Sequence, residues 1–168
     1  MKFNRKPLPP VYFSYGSNIN QNQMAFRCPT AQYIGPFYLK GWELEFGNHA
    51  NIRPRRYGSV PGALWYLTDA DIAALDRYEG YPTYYKTRRW NQDGLRFFFY
   101  EMTRPASGTP SDWYVQGILE GYEQSGLNPD YLLGKLKCQK PQTITAGGWM
   151  SKTMKAAHGS MEYYNQMK

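Results

Sequence analysis

The chain is poor in the residues that catalysis usually recruits. Its 168 residues include two histidines, His49 and His158, and two cysteines, Cys28 and Cys138. A metal centre built on several histidines is left without ligands, and neither HExxH nor CxxC occurs. The cysteines are far apart, so they read as reduced thiols with no disulfide, which favours a cytoplasmic location. There is no Walker loop, no GxGxxG and no GxSxG, hence no phosphate cradle and no serine nucleophile elbow. The expectation is an activity without cofactor or metal. No apolar run approaches the roughly 20 residues that span a bilayer. The opening MKFNRKPLPP is basic but lacks the apolar stretch of a secretory signal, so no membrane partner is expected.

Aromatic side chains and positive charge are plentiful. Aromatics make up 17% of the chain and 16 residues are tyrosine, so the interior should carry hydroxyl tips that need partners and can line a polar pocket. The formal net charge is +7, with clusters at Arg53-Arg55-Arg56, Lys86-Arg88-Arg89 and Lys135-Lys137-Lys140. Such clusters can attract nucleic acid or small anions. They are short and scattered, and a solvated surface is the plainer reading.

The pattern along the chain predicts a mixed α+β domain with a small, curved, barrel-like sheet and short flanking helices. Strand-like runs occur at Val11–Tyr15, Ala31–Leu39, Trp42–Phe46 and Gly62–Thr68, then in a hairpin around Asp93-Gly94. Helices are expected over Asn20–Cys28, over 69–79 with Thr68 and Asp71 as a capping box and Gly80 as the stop, and over two segments between Trp113 and Leu136. Residues 1–10 read as an arm, 11–138 as the domain, and 139–168 as a loop-rich extension that packs on the domain or stays flexible.

Two features could carry chemistry. Glu79 shares the apolar stripe of its helix with Ile72 and Leu75, and it sits at the helix C-terminus, where the macrodipole disfavours negative charge. Burial and dipole both push a carboxyl pKa up, as a proton shuttle requires. The alternative is a Glu79 turned to solvent or paired with Arg77, Arg88 or Arg89, with Asp76 an ordinary surface carboxylate. The second feature is Gly16-Ser17-Asn18, where a strand runs into a helix start. Gly16 can take a positive φ, and free N–H groups at the helix start could cradle an anion or oxyanion. The alternative is a plain strand-to-helix turn with Asn18 or Asn20 as N-cap.

Taken together, YFSYGSN near the N-terminus and LDRYEGYPTYY about 60 residues later resemble the γ-glutamylcyclotransferase-like superfamily. LKGWELEFGN and WYVQGILEGYEQSGLNPDYLLGKL resemble further family segments, so the likeness runs from about Val11 to Leu136. The resemblance implies cyclisation of a γ-glutamyl amide to 5-oxoproline with release of an amine, acting on a small-molecule substrate. It implies Glu79 as the catalytic carboxylate. Tyr12, Phe13, Ser14, Tyr15, Gly16 and Ser17 would form the substrate-holding loop. Tyr114 looks like a substrate-contacting tyrosine, and Tyr100 and Tyr85 stand where the family has tyrosines near the pocket. Two alternatives remain beside this: a non-catalytic or differently specialised ligand-binding member of the fold, and a basic protein that binds nucleic acid through arginines and stacked aromatics.

Overall fold

A computed structural model of the chain describes residues 8–138. The readings made above for the N-terminal arm up to residue 7 and for the extension from residue 139 lie outside the described residues. Five strands form one mixed sheet: β1 (Val11–Ser14), β2 (Gln32–Phe46), β3 (Ala50–Tyr66), β4 (Tyr85–Gln92) and β5 (Leu95–Met102). Their order is β2-β3-β1-β5-β4. The short β1 is central, antiparallel to β3 and parallel to β5. Among the described residues, four α-helices accompany the sheet: α1 (Gln21–Arg27), α2 (Asp69–Glu79), α3 (Asp112–Gln124) and α4 (Pro129–Lys137).

The period-two pattern of FFFY in β5 sorts side chains onto the two sheet faces. Phe97 and Phe99 are buried on one face. There Phe13, with no exposed surface, meets Phe37 and Phe97 at ring-centroid distances of 5.8 and 6.0 Å. On the other face Tyr12 lies 5.4 Å from Phe98 and 5.8 Å from Tyr100. The first face is the hydrophobic core; the second becomes the wall of a cavity.

The two edge strands approach each other without completing the ladder. Gln92 at the end of β4 accepts from the Lys40 N–H at 2.8 Å and donates to the Tyr38 carbonyl at 3.0 Å. Trp42 and Trp90 pack edge to face, with centroids 5.4 Å apart. The sheet is therefore curled, with side chains bridging its open seam.

Two expected strands prove to be one. The runs 31–39 and 42–46 fuse into β2, with a register shift beside Gly41, whose φ is +83°. Gly62–Thr68 is the end of a much longer β3 that begins at Ala50. Its first part was illegible because Pro54, Gly58 and Pro61 argue against a strand, yet Pro54 and Pro61 pair opposite Trp42 and Tyr38, and the chain between Pro54 and Ser59 bulges opposite Gly41. The Asp93-Gly94 hairpin forms as read, with φ of +54° and +84°.

Candidate active site

Glu79 is brought to its place by helix α2. The Thr68 side chain caps the Asp71 N–H, and Asp71 returns a bond to the Thr68 N–H at 2.9 Å. The Thr68 and Thr30 hydroxyls donate to the same carboxylate at 2.8 and 2.7 Å. Burial pushes the Asp71 carboxyl up, but the bonds from Thr68 and Thr30 outweigh it and hold the pKa below its ordinary value. At the other end Gly80 adopts the left-handed conformation, φ +63° and ψ +37°, and the helix stops with Glu79 as its last residue.

Glu79 lines a cavity of about 320 Å³. The wall comes from Tyr12 on β1, Ala50 on β3, Tyr85 on β4, Tyr100 on β5 and Tyr114 on α3, with Tyr15, Gly16, Ser17 and Asn18 from the turn after β1. His49, Arg77, Tyr78 and Tyr84 line it as well. Glu79 Oε1 accepts from Asn18 Nδ2 at 2.9 Å, and the same nitrogen donates to the Tyr12 hydroxyl at 3.0 Å. Burial raises the Glu79 pKa from its usual carboxylate value to about 7; the Arg27 charge and the Asn18 bond pull it down without cancelling the burial. None of the arginines proposed as partners from the sequence pairs with it among the described residues; Arg88 instead binds Glu101 at 2.7 Å.

The tyrosine hydroxyls fall into two groups. Three spend their hydrogen on the protein: Tyr15 donates to the Tyr100 carbonyl at 2.6 Å, Tyr85 to the Ala50 carbonyl at 2.7 Å, and Tyr100 to Asp76 Oδ1 at 2.7 Å. Two act as acceptors: Tyr12 from Asn18, and Tyr114 from the Ala50 N–H at 3.1 Å. Tyr12 and Tyr114 thus keep a hydrogen available for a ligand. Burial raises all five hydroxyl pKa values, so these groups stay protonated at neutral pH.

The turn after β1 differs from expectation in three respects. Gly16 has φ −116°, so left-handed backbone is not why glycine stands there. A Cβ would come within 3.1 Å of the Tyr114 hydroxyl and 3.3 Å of Ala50 Cβ, so the position is tight against the cavity wall. Ser17–Ile19 form a single 3-10 turn before α1. The first N–H groups of α1 are already taken, because Asn20 is the N-cap and its Oδ1 accepts from Asn22 at 3.0 Å and Gln23 at 3.2 Å. The anion cradle expected at the start of α1 is therefore filled by the protein's own cap.

The profile of the family described as "Gamma-glutamyl cyclotransferase, AIG2-like" matches residues 12–115, more than half of the chain. The chain belongs to this family. It is also similar to proteins named gamma-glutamylcyclotransferase. The protein of that name from Mus musculus is 28% identical over 151 residues, covering 78% of this chain and 79% of its own. The one from Homo sapiens is 28% identical over 153 residues, covering 80% and 81%. A solved structure titled "Gamma-glutamyl cyclotransferase" superposes with a TM-score of 0.67 at 26% identity, covering 87% of this chain and 98% of that one.

Of the residues that the family resemblance singled out, Glu79, Tyr12, Tyr15, Gly16, Ser17, Tyr85, Tyr100 and Tyr114 surround one cavity. Phe13 and Ser14 do not line it. Phe13 points into the core on the opposite sheet face, and Ser14 Oγ is fully buried between the Ala63 carbonyl at 3.2 Å and Trp65 Nε1 at 3.1 Å. The period of the strand explains Phe13, which alternates with Tyr12; Ser14 lies on the Tyr12 face, but its short side chain is held against β3 by Ala63 and Trp65. Asp76 is no idle surface carboxylate, since it fixes Tyr100. The sequence marks Asn18 as part of the turn that could cradle an anion, or as an N-cap, but not as a partner of Glu79, and it does not single out Arg27. The i, i+4 spacing of Gln23 and Arg27 hints at their bond, but nothing in the pattern tells that the guanidinium turns back to Ser17 and Asn18.

Proposed function

We propose that the protein converts a γ-glutamyl amide to 5-oxoproline and a free amine or amino acid, with Glu79 as a single proton shuttle. The observation that carries this reading is a carboxyl with a pKa near 7, at the end of α2, facing a polar cavity walled by tyrosines. Membership of a family of cyclotransferases supports it. The substrate brings its own nucleophile, because its α-amine lies one ring closure from its γ-carbonyl. Folding the glutamyl chain into a near-ring gives a large effective molarity, so the protein need supply only proton transfer, orientation and charge stabilisation.

The α-ammonium yields a proton to ionised Glu79, and the neutral amine attacks the γ-carbonyl carbon. The tetrahedral intermediate carries an oxyanion and a protonated ring nitrogen. Protonated Glu79 then gives its proton to the leaving nitrogen as the carbon–nitrogen bond breaks. A second proton passes from the ring nitrogen to the departing amine, and the lactam keeps the third. The carboxyl ends as it began, ionised. A pKa near the working pH suits a group that must be base and then acid. The spare hydrogens of Tyr12 and Tyr114, with the backbone around Gly16 and Ser17, are the donors suited to the oxyanion or the substrate α-carboxylate.

The test is a panel of γ-glutamyl compounds scored for 5-oxoproline. Glu79→Gln should lower turnover about a hundred- to ten-thousand-fold, as expected for loss of general acid–base catalysis, while substrate affinity changes little. Near-normal product formation by that variant sinks the assignment. The nucleic-acid reading loses weight because much of the basic surface is locally offset. Arg53, Arg55 and Lys135 meet Glu43 or Glu45, and Lys86 and Arg88 meet Glu101, all within 4.0 Å.

A further inference from the structure

The turn and helix α1 contain a charged group that the mechanism above does not use. Arg27 sits in the last turn of α1, and its guanidinium has four partners. Its Nη1 donates to Asn18 Oδ1 and, at 3.1 Å, to Ser17 Oγ; its Nη2 donates to Gln23 Oε1 at 2.6 Å. Its plane lies over the Tyr78 ring, 3.9 Å from the centroid, one residue before Glu79. A planar fork held on so many sides is pre-organised in a way that a lysine ammonium cannot copy.

The chemistry of the Asn18 amide gives this clamp a consequence. An amide can present either its oxygen or its NH2 in a given direction. A guanidinium only donates, so Arg27 accepts only the amide oxygen. The NH2 must then face Glu79 Oε1 and the Tyr12 hydroxyl. The reversed amide would set its oxygen against the carboxylate and its NH2 against the guanidinium, two repulsive contacts at once. With Oε1 bonded in this way, Oε2 is the Glu79 oxygen with no protein donor among the described residues. With the Tyr12 oxygen accepting from Asn18, its hydrogen is directed elsewhere.

We propose that Arg27 is a positioning residue for proton transfer: by clamping the Asn18 amide it turns the NH2 onto Glu79 Oε1, reserves Oε2 for the substrate nitrogens, and leaves the Tyr12 hydrogen for the substrate. This rests on the cyclotransferase reading of the site. The groups that face Glu79 from the surrounding elements are Arg27 of α1, Asn18 and Tyr15 of the turn, Tyr12 of β1, Tyr85 of β4, Tyr100 of β5 and Tyr114 of α3. On its own helix stand Arg77, at the cavity lining, and Asp76, bonded to Tyr100; His49 precedes β3 at the lining. Among them, Arg27 is the cation whose charge pulls the Glu79 pKa down against burial. Arg27 thus acts twice, once through geometry and once through charge, and substitution can separate the two.

The experiment compares wild type, Arg27→Lys, Arg27→Gln and Arg27→Met by two readouts. One is the pH dependence of kcat and kcat/KM on a γ-glutamyl substrate. The other is the titration of the Glu79 carboxyl by NMR after 13C labelling of glutamate, with the signal assigned by its loss in Glu79→Gln. Arg27→Met should raise the Glu79 midpoint by about one pH unit, the lower end expected for losing a nearby opposite charge. The acidic limb of kcat/KM should move with it, and kcat should fall about ten- to a hundredfold while KM changes less than about threefold. Arg27→Lys should bring the midpoint back but recover only part of kcat. Arg27→Gln, which keeps a donor without the charge, should leave the midpoint raised; it takes the place of Arg27→Met if the latter does not fold. A purely structural arginine would lower the melting temperature and leave both the midpoint and the pH limb where they were, and that result overturns the proposal. If wild type makes no 5-oxoproline from any γ-glutamyl compound, the cyclotransferase reading fails, whereas the NMR midpoints still decide whether Arg27 governs Glu79.

Discussion

Glu79 is placed where its charge is costly, and that cost is measurable. Its folded-state pKa, about 7, lies above the ordinary carboxylate value of 4.5. Between these values the folded protein binds more protons than the unfolded chain, so stability falls as pH rises through the window and the loss is complete above about 7. Glu79→Gln should therefore be more stable than wild type at pH 8 by up to about 3 kcal/mol, and the gain should vanish near pH 4, as thermal melts across pH would record. An equal gain at both pH values would show that the carboxylate is not destabilised by its site. The same ionisation should make kcat/KM rise with pH, with a midpoint near 7, in a steady-state profile. Gly16 separates two roles of a glycine. Its φ of −116° needs no left-handed backbone, so the main effect of Gly16→Ala should fall on the site: the methyl would press on Tyr114, and kcat/KM should weaken about tenfold or more. Phe13→Ala should behave in the opposite way. Loss of about 3–5 kcal/mol of stability is expected on chemical denaturation, because the ring is fully buried on the sheet face opposite the cavity.

At the scale of elements, the site depends on how helices are ended and how closely they approach. Helix α2 was legible because its signals are local: Thr68, Asp71 and Gly80 act within one turn of the residues they cap. The turn after β1 was legible as a turn, but its support is not local. Asn20 Nδ2 donates across to the Gly117 carbonyl of α3 and to Glu120 Oε2, both at 3.0 Å. A Cβ on Gly121 would come within 2.6 Å of the Asn20 N and 2.8 Å of the Ile19 carbonyl carbon. Backbone packs on backbone here, so Gly121→Ala should push α3, with Tyr114, away from the turn. We expect about 1–3 kcal/mol of destabilisation on denaturant melts, together with a raised KM. A variant with unchanged stability and KM would show that α3 is not braced through this contact.

At the scale of the molecule, the cavity is a meeting of distant parts of the chain. β1 is central in the sheet and ends in the turn beside Glu79, while β5, β4 and α3 contribute tyrosines from about 70 to 100 residues further along the chain. A ligand that touches all of them ties the fold together. A γ-glutamyl compound at a hundred times its dissociation constant should raise the stability of the inactive Glu79→Gln protein by about 2.7 kcal/mol, visible as an upward thermal shift. Local pattern alone encodes the caps of α2, the type of the β4–β5 turn, the alternation of Tyr12 and Phe13, and the Glu79 that ends an apolar stripe. These depend on residues a few positions apart, whose geometry follows from helix and strand periods. The sequence also carries the family likeness, through two motifs about 60 residues apart. Tertiary packing alone sets Phe13 toward the core, ties Ser14 to β3 and off the cavity, runs β3 through two prolines, and brings Arg27 to Asn18 and Asn18 to Glu79. Those outcomes depend on sheet register, on which face of β1 meets α2, and on the direction of a long side chain, none of which a local pattern encodes.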